Sequence, residues 1–164
     1  MKQPARRLSL MNSIRVAIAE DHRVFRKGII LSLRPYPHLH FVIEAGNGRE
    51  LIEQLPDGDL PEVVLMDLRM PGMDGVEATK YMTRHYPGIH IICLTMFEDQ
   101  QFVNHMMESG ACGYLLKNAE PGEINTAIIE VMSKGCYNST ALNGIHFKNA
   151  SWITKTGPGN KATG

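Results

Sequence analysis

The chain has 164 residues, 43% of them apolar, and its 17 basic and 17 acidic side chains leave no net charge. That size and apolar fraction suit one globular domain with a core of useful size. The balanced charge offers no overall field to nucleic acid or an anionic membrane, so DNA binding by this chain alone is not expected.

Residues 1–13 are polar, basic and aperiodic, and read as a flexible leader with Met11 available as an internal start. Arg6-Arg7 is not followed by the apolar stretch of a signal peptide, and no run of about eighteen apolar residues occurs anywhere. A cytoplasmic protein that does not cross a membrane is therefore expected. Ile14 to Ala19 reads as a strand, and His22 to Leu33 as a helix whose apolar stripe is Val24, Phe25, Gly28, Ile29 and Leu33. Pro35 and Pro37 break the chain, Leu39 to Ala45 is a second strand, and Arg49 to Leu55 is a short helix.

Val63 to Met66 is a short apolar run closed by turn residues, the pattern of a strand buried on both faces. It delivers Asp67 to the start of the turn. Asp74 can cap a helix over Gly75 to His85 that buries Val76, Ala78 and Met82. Then come a strand over Ile89 to Thr95, a helix over Asp99 to Ser109, a brief strand over Gly113 to Leu116, and a helix over Glu120 to Ser133 ending at Gly135. Five strands alternating with short helices predict an α/β fold, a doubly wound five-stranded parallel sheet. Residues 14–136 form this domain, and 137–164 shift to Asn, Ser, Thr, Gly and Lys and read as a linker or disordered tail that carries Trp152, the only Trp of the chain.

The three cysteines, Cys93, Cys112 and Cys136, lie in or beside apolar segments without CxxC spacing, which fits reduced core residues better than disulfides or a zinc site. The seven histidines lack HExxH or comparable spacing. Four strand ends carry polar residues to one rim: Glu20-Asp21, Asp67, Thr95 and Lys117. In open parallel sheets ligands sit outside the carboxyl ends of the strands. A single Asp there is more often a turn former or a cap; three carboxylates, a hydroxyl and a cation together are not so explained.

Clustered carboxylates repel by about 1 kcal/mol per pair at 4 Å in water, and by more at lower dielectric. A hard divalent ion such as Mg²⁺ suits oxygen ligands and keeps exchangeable waters. Lys117 suits a phosphoryl group as a point charge, Thr95 can donate its hydroxyl, and Asp67 can act as a nucleophile toward phosphorus. No Walker A sequence is present, so the phosphoryl group must come from another donor.

From about Ile14 to Lys134 the chain resembles the response-regulator receiver domain of two-component signalling: Glu20-Asp21, Asp67 followed by Met70-Pro71-Gly72-Met73-Asp74-Gly75, Thr95 and Lys117 fill its signature positions. The resemblance implies a flavodoxin-like (CheY-like) receiver fold. It implies a non-enzyme signalling domain that takes part in its own phosphorylation and dephosphorylation, with a sensor histidine kinase donating phosphoryl to Asp67. It also implies Mg²⁺, or Mn²⁺ as a substitute, held by Asp21 and Asp67, by Glu20 through water, and by the Arg69 backbone carbonyl. Thr95 and Lys117 would contact the phosphoryl group, Arg69 and Phe97 would tune its lifetime, and Thr95 with Tyr114 would form the switch. The readout would be a surface near Phe97, Phe102, His105 and Met106, through a homodimer on activation or a change of partner; Met106-Met107 could equally fill the core.

Glu20 to Gly28 and Gly110 to Lys117 look like the NarL/LuxR-type subfamily, whose receivers precede a helix-turn-helix. The segment after Tyr137 is too short and polar for that module, so DNA contact is expected only through a missing C-terminal domain. A stand-alone receiver acting by protein–protein interaction is the alternative. A phosphoaspartate hydrolase would want a second Asp where Arg69 stands, and a flavodoxin-like binding module would want a phosphate-cradling loop where Glu20-Asp21-His22 stands.

Overall fold

In a computed structural model the structure describes residues 13–96 and 100–137. Nearly all of the predicted leader, the tail beyond Tyr137 with Trp152, and Phe97 lie outside the described residues.

The five strands are β1 (Ile14–Ala19), β2 (Leu39–Ala45), β3 (Val63–Met66), β4 (His90–Thr95) and β5 (Gly113–Leu116). Helices α1 (Arg23–Ser32), α2 (Gly48–Glu53), α3 (Gly75–His85), α4 (Gln100–Glu108) and α5 (Pro121–Lys134) alternate with them. All pairings are parallel and the sheet order is β2-β1-β3-β4-β5. The doubly wound α/β fold is therefore as expected. Because the strand order reverses between β1 and β3, a crevice opens at their carboxyl ends, the ligand position of such sheets.

Every residue of β3 is buried, as its apolar run required. On one face Leu51 of α2, Ala78 and Met82 of α3, and Val103, Met106 and Met107 of α4 cover the sheet. On the other, Ile29 of α1 and Ile124, Ala127, Ile128 and Val131 of α5 do so. Asp74 caps α3 by accepting the Glu77 backbone N–H at 2.9 Å. At the far end of α5, Gly135 takes a left-handed conformation (φ 82°) that closes the helix at little steric cost.

Some expectations need correction. Val24 is 78% exposed, not part of the buried stripe of α1, whose core face runs through Ile29 and Leu33. Residues 24 and 25 lie on adjacent flanks of a helical turn, and only the packing of α1 decides which one turns inward. Met106 is fully buried and fills the core instead of facing a readout surface. Tyr137, assigned to the tail by composition, pairs with Gly113 and is buried.

Candidate functional site

Three backbone hydrogen bonds carry the parallel ladder one residue past the strands. The N–H of Glu20 bonds the Ala45 carbonyl (2.9 Å), that of Asp67 bonds Ala19 (2.9 Å), and that of Lys117 bonds Thr95 (2.8 Å). The residues just beyond β1, β3 and β5 are thus held on the sheet's rim with strand-like rigidity. Tight packing holds the Asp67 turn from behind. A Cβ on Gly75, the first residue of α3, would lie 2.0 Å from the Asp67 carbonyl oxygen, so only glycine permits this approach.

The rim residues converge on a cleft of about 670 Å³ whose lining includes Glu20, Asp21, Asp67, Arg69, Thr95 and Lys117. Glu20, Asp21 and Asp67 each offer a carboxylate oxygen within 4.8 Å of the others. Glu20 is 1% exposed and Asp67 6%, whereas Asp21 faces solvent. Lys117 Nζ lies 2.7 Å from Glu20 Oε2 and 3.3 Å from Asp67 Oδ2. The Glu20 carboxylate also accepts the His22 N–H through Oε1 at 3.0 Å, and its backbone carbonyl accepts Arg26 Nη1 at 2.6 Å.

Burial is the main cause that pushes the Asp67 carboxyl up, from 3.8 to about 7; the charge of Glu20 adds to it and Lys117 works against it. For Lys117 burial disfavours the ammonium, but hydrogen bonding and charge from Glu20 and Asp67 outweigh this and hold its pKa above the ordinary lysine value. The donor set is all-oxygen, compact and short of positive charge, which fits a hard divalent cation and suits neither zinc nor copper.

All the polar rim residues expected from sequence meet here. Tyr114 is fully buried on β5, and Thr95 is fully buried at the end of β4. Sequence reasoning placed Phe25 only in the core; its ring lies 4.8 Å from Lys117 Nζ and lines the cleft. An aromatic at one helical position carried no signal for a cation arriving from β5. Arg69 stacks its guanidinium over the Phe102 ring at 5.2 Å, so the position where a phosphoaspartate hydrolase would want its second Asp holds a cation.

A match to the response regulator receiver domain family covers residues 16–129. This chain belongs to that family. The receiver is 41% identical over 122 residues to the transcriptional regulatory protein LiaR of Bacillus subtilis, covering 74% of this chain and 57% of the relative. It is 34% identical over 126 residues to DegU of Brevibacillus brevis, covering 77% and 53% respectively. The receiver thus spans little more than half the length of these curated relatives. Among solved structures, the isolated REC domain of RcsB from Salmonella enterica serovar Typhimurium superposes with a TM-score of 0.72 at 30% identity, covering 80% of this chain and 96% of that one. The receiver's relatives are NarL/LuxR-type regulators, and its family is a signalling family. Among the described residues no helix is long and apolar enough to cross a membrane.

Proposed function

We propose that this receiver is switched by phosphorylation of Asp67, with a sensor histidine kinase as donor, and that residues 14–136 form the unit that responds. The observation that carries this reading is the position of the Asp67 carboxylate, nearly buried at the β1/β3 crevice, 3.3 Å from the Lys117 ammonium and beside two further acids. An ionised Asp67 oxygen would attack phosphorus in line, forming a P–O bond as the P–N bond to the donor histidine breaks and the imidazole keeps the electron pair. Lys117 neutralises charge gathering on the transferred oxygens. The Thr95 hydroxyl, at the adjacent strand end, would donate to one of them.

Asp21 and Asp67 would hold Mg²⁺, or Mn²⁺ in its place, with Glu20 acting through water and Arg69 through its backbone carbonyl. Bound there, the cation supplies charge neutralisation for the incoming phosphoryl oxygens and lowers the cost of ionising Asp67. Glu20 serves to hold Lys117 in position, since its own carboxylate is buried against that ammonium.

Phosphorylation adds about −1.5 to −2 charge and three acceptor oxygens. Thr95 moving toward them would open space beside β5 and let Tyr114 repack, coupling the site to the face formed by α4, β5 and α5. Coupling of this kind is typically worth about 1–3 kcal/mol, enough to bias a homodimer or a partner choice. Control of transcription would then run through a DNA-binding domain outside this chain. The same site would let the receiver take part in its own dephosphorylation, in a cytoplasmic setting.

Acetyl phosphate with Mg²⁺ should add one phosphoryl group, read by intact mass, and Asp67→Asn should abolish the gain. An undiminished gain in that variant would remove Asp67 from the role.

A further inference from the structure

Two of the three free cysteines, far apart in sequence, are neighbours at the edge of the sheet. Gly113 at the start of β5 forms an isolated parallel bridge with Tyr137, and the Tyr137 N–H donates to the Cys112 carbonyl at 2.9 Å. In a parallel ladder the residues preceding a bridged pair also lie side by side, which sets Cys112 beside Cys136. One strand spacing, about 4.8 Å, separates such neighbours. That falls within the usual Cα separation of disulfides, about 4.4–6.8 Å.

Both positions are held from several sides. The Cys112 N–H bonds the Ile91 carbonyl at 2.7 Å, Gly135 turns the chain out of α5, and the Tyr137 hydroxyl donates to Glu123 Oε1 at 3.3 Å. Burial pushes the Cys112 thiol up, a backbone hydrogen bond from Ile91 opposes this, and the nearby Cys136 thiol adds to the rise. Both residues are only partly buried, whereas Cys93 is sealed in the core.

We propose that Cys112 and Cys136 form a reversible disulfide that ties the end of α5 to the start of β5 when the chain meets a low-molecular-weight disulfide. In the first exchange the Cys136 thiolate attacks one sulfur of that oxidant, forming a mixed disulfide and expelling one thiolate. In the second, Cys112 loses its proton to solvent and attacks the Cys136 sulfur, expelling the second thiolate. Two protein thiols are oxidised and one small disulfide is reduced to two thiols. Side-by-side strand neighbours hold their Cβ atoms at about the strand spacing, wider than the mean of about 3.8 Å in disulfides, which favours a labile link over a permanent staple. The link would fix the path by which the chain leaves the domain at Tyr137, next to the strand that carries Tyr114 and leads to Lys117.

The test needs no phosphorylation, so its outcome is independent of the role of Asp67. The full chain is incubated at mildly alkaline pH with oxidised glutathione, free thiols are blocked by alkylation, and the digest is mapped by mass spectrometry with chain association read in parallel. The expected result is a monomer in which the Cys112 and Cys136 peptides are joined, Cys93 reacts only after unfolding, and a thiol reductant restores the starting mass. Cys112→Ser and Cys136→Ser should each lose the joined species, the latter also losing the glutathione adduct that precedes it. Glutathione retained on Cys136 with Cys112 still a free thiol, or a link between two chains, would overturn the proposal.

Discussion

Lys117 Nζ sits closer to Glu20 Oε2, at 2.7 Å, than to Asp67 Oδ2, at 3.3 Å, so the cation is anchored by the one carboxylate and presented to the other. Glu20 is almost wholly buried, and removing its partner leaves an uncompensated charge in the fold. Lys117→Met should therefore destabilise the chain at neutral pH by about 3 kcal/mol, read from urea unfolding.

The raised pKa of Asp67 sets a sign for stability against pH. Its folded value of about 7 stands above the ordinary 3.8, so folding favours the protonated form. The stabilisation is full below the unfolded value and is lost as pH rises toward about 7. Thermal melts without metal should show Tm falling across that window, and Asp67→Asn should flatten the fall, gaining on the order of 2 kcal/mol over the wild type under mildly alkaline conditions. Mg²⁺ should recover stability there in the wild type, and much less in Asp67→Asn, because it binds the folded state through the carboxylate.

Gly75→Ala tests the packing behind the nucleophile. The added methyl carbon would meet the Asp67 carbonyl oxygen at 2.0 Å, and backbone on both sides must move. A stability loss of about 3 kcal/mol is expected, together with slower phosphoryl uptake from acetyl phosphate. Gly28→Ala is the control: nothing lies near the added atom and the site is an exposed helical position, so it should leave uptake unchanged and gain a few tenths to about 1 kcal/mol.

Phe25 contributes to the site through Lys117. With the ring 4.8 Å from the ammonium, Phe25→Leu should keep most of the packing of α1 while removing a cation–π contact of about 1 kcal/mol. Phe25→Tyr should retain it. A double-mutant cycle with Lys117→Met, read by chemical denaturation, should give a coupling energy of that size for Leu and little or none for Tyr.

The strands were legible because their signal is local. Val63–Met66 and Gly113–Leu116 are short apolar runs bounded by turn residues, and their ends coincide with the expected ones. Helix ends moved by a residue or two, as at α2, which begins at Gly48 under the Asn47 cap instead of at Arg49. The polar residues of the site were legible for a related reason: a residue following a buried parallel strand must emerge at its carboxyl end, so the order of strands and turns already sends Glu20, Asp21, Asp67, Thr95 and Lys117 to one rim.

By itself, then, the amino-acid order determined the alternation of elements, the parallel sheet and the rim that bears the chemistry, since each depends on periodicity and turn residues within short windows. Only the tertiary structure decided that Lys117 leans on Glu20, that Phe25 faces that ammonium while Val24 turns to solvent, that Gly75 presses on the Asp67 carbonyl, and that Cys112 lies beside Cys136. These are contacts between segments remote in sequence, fixed by strand order and helix packing, and no local pattern encodes which side chains those surfaces bring together.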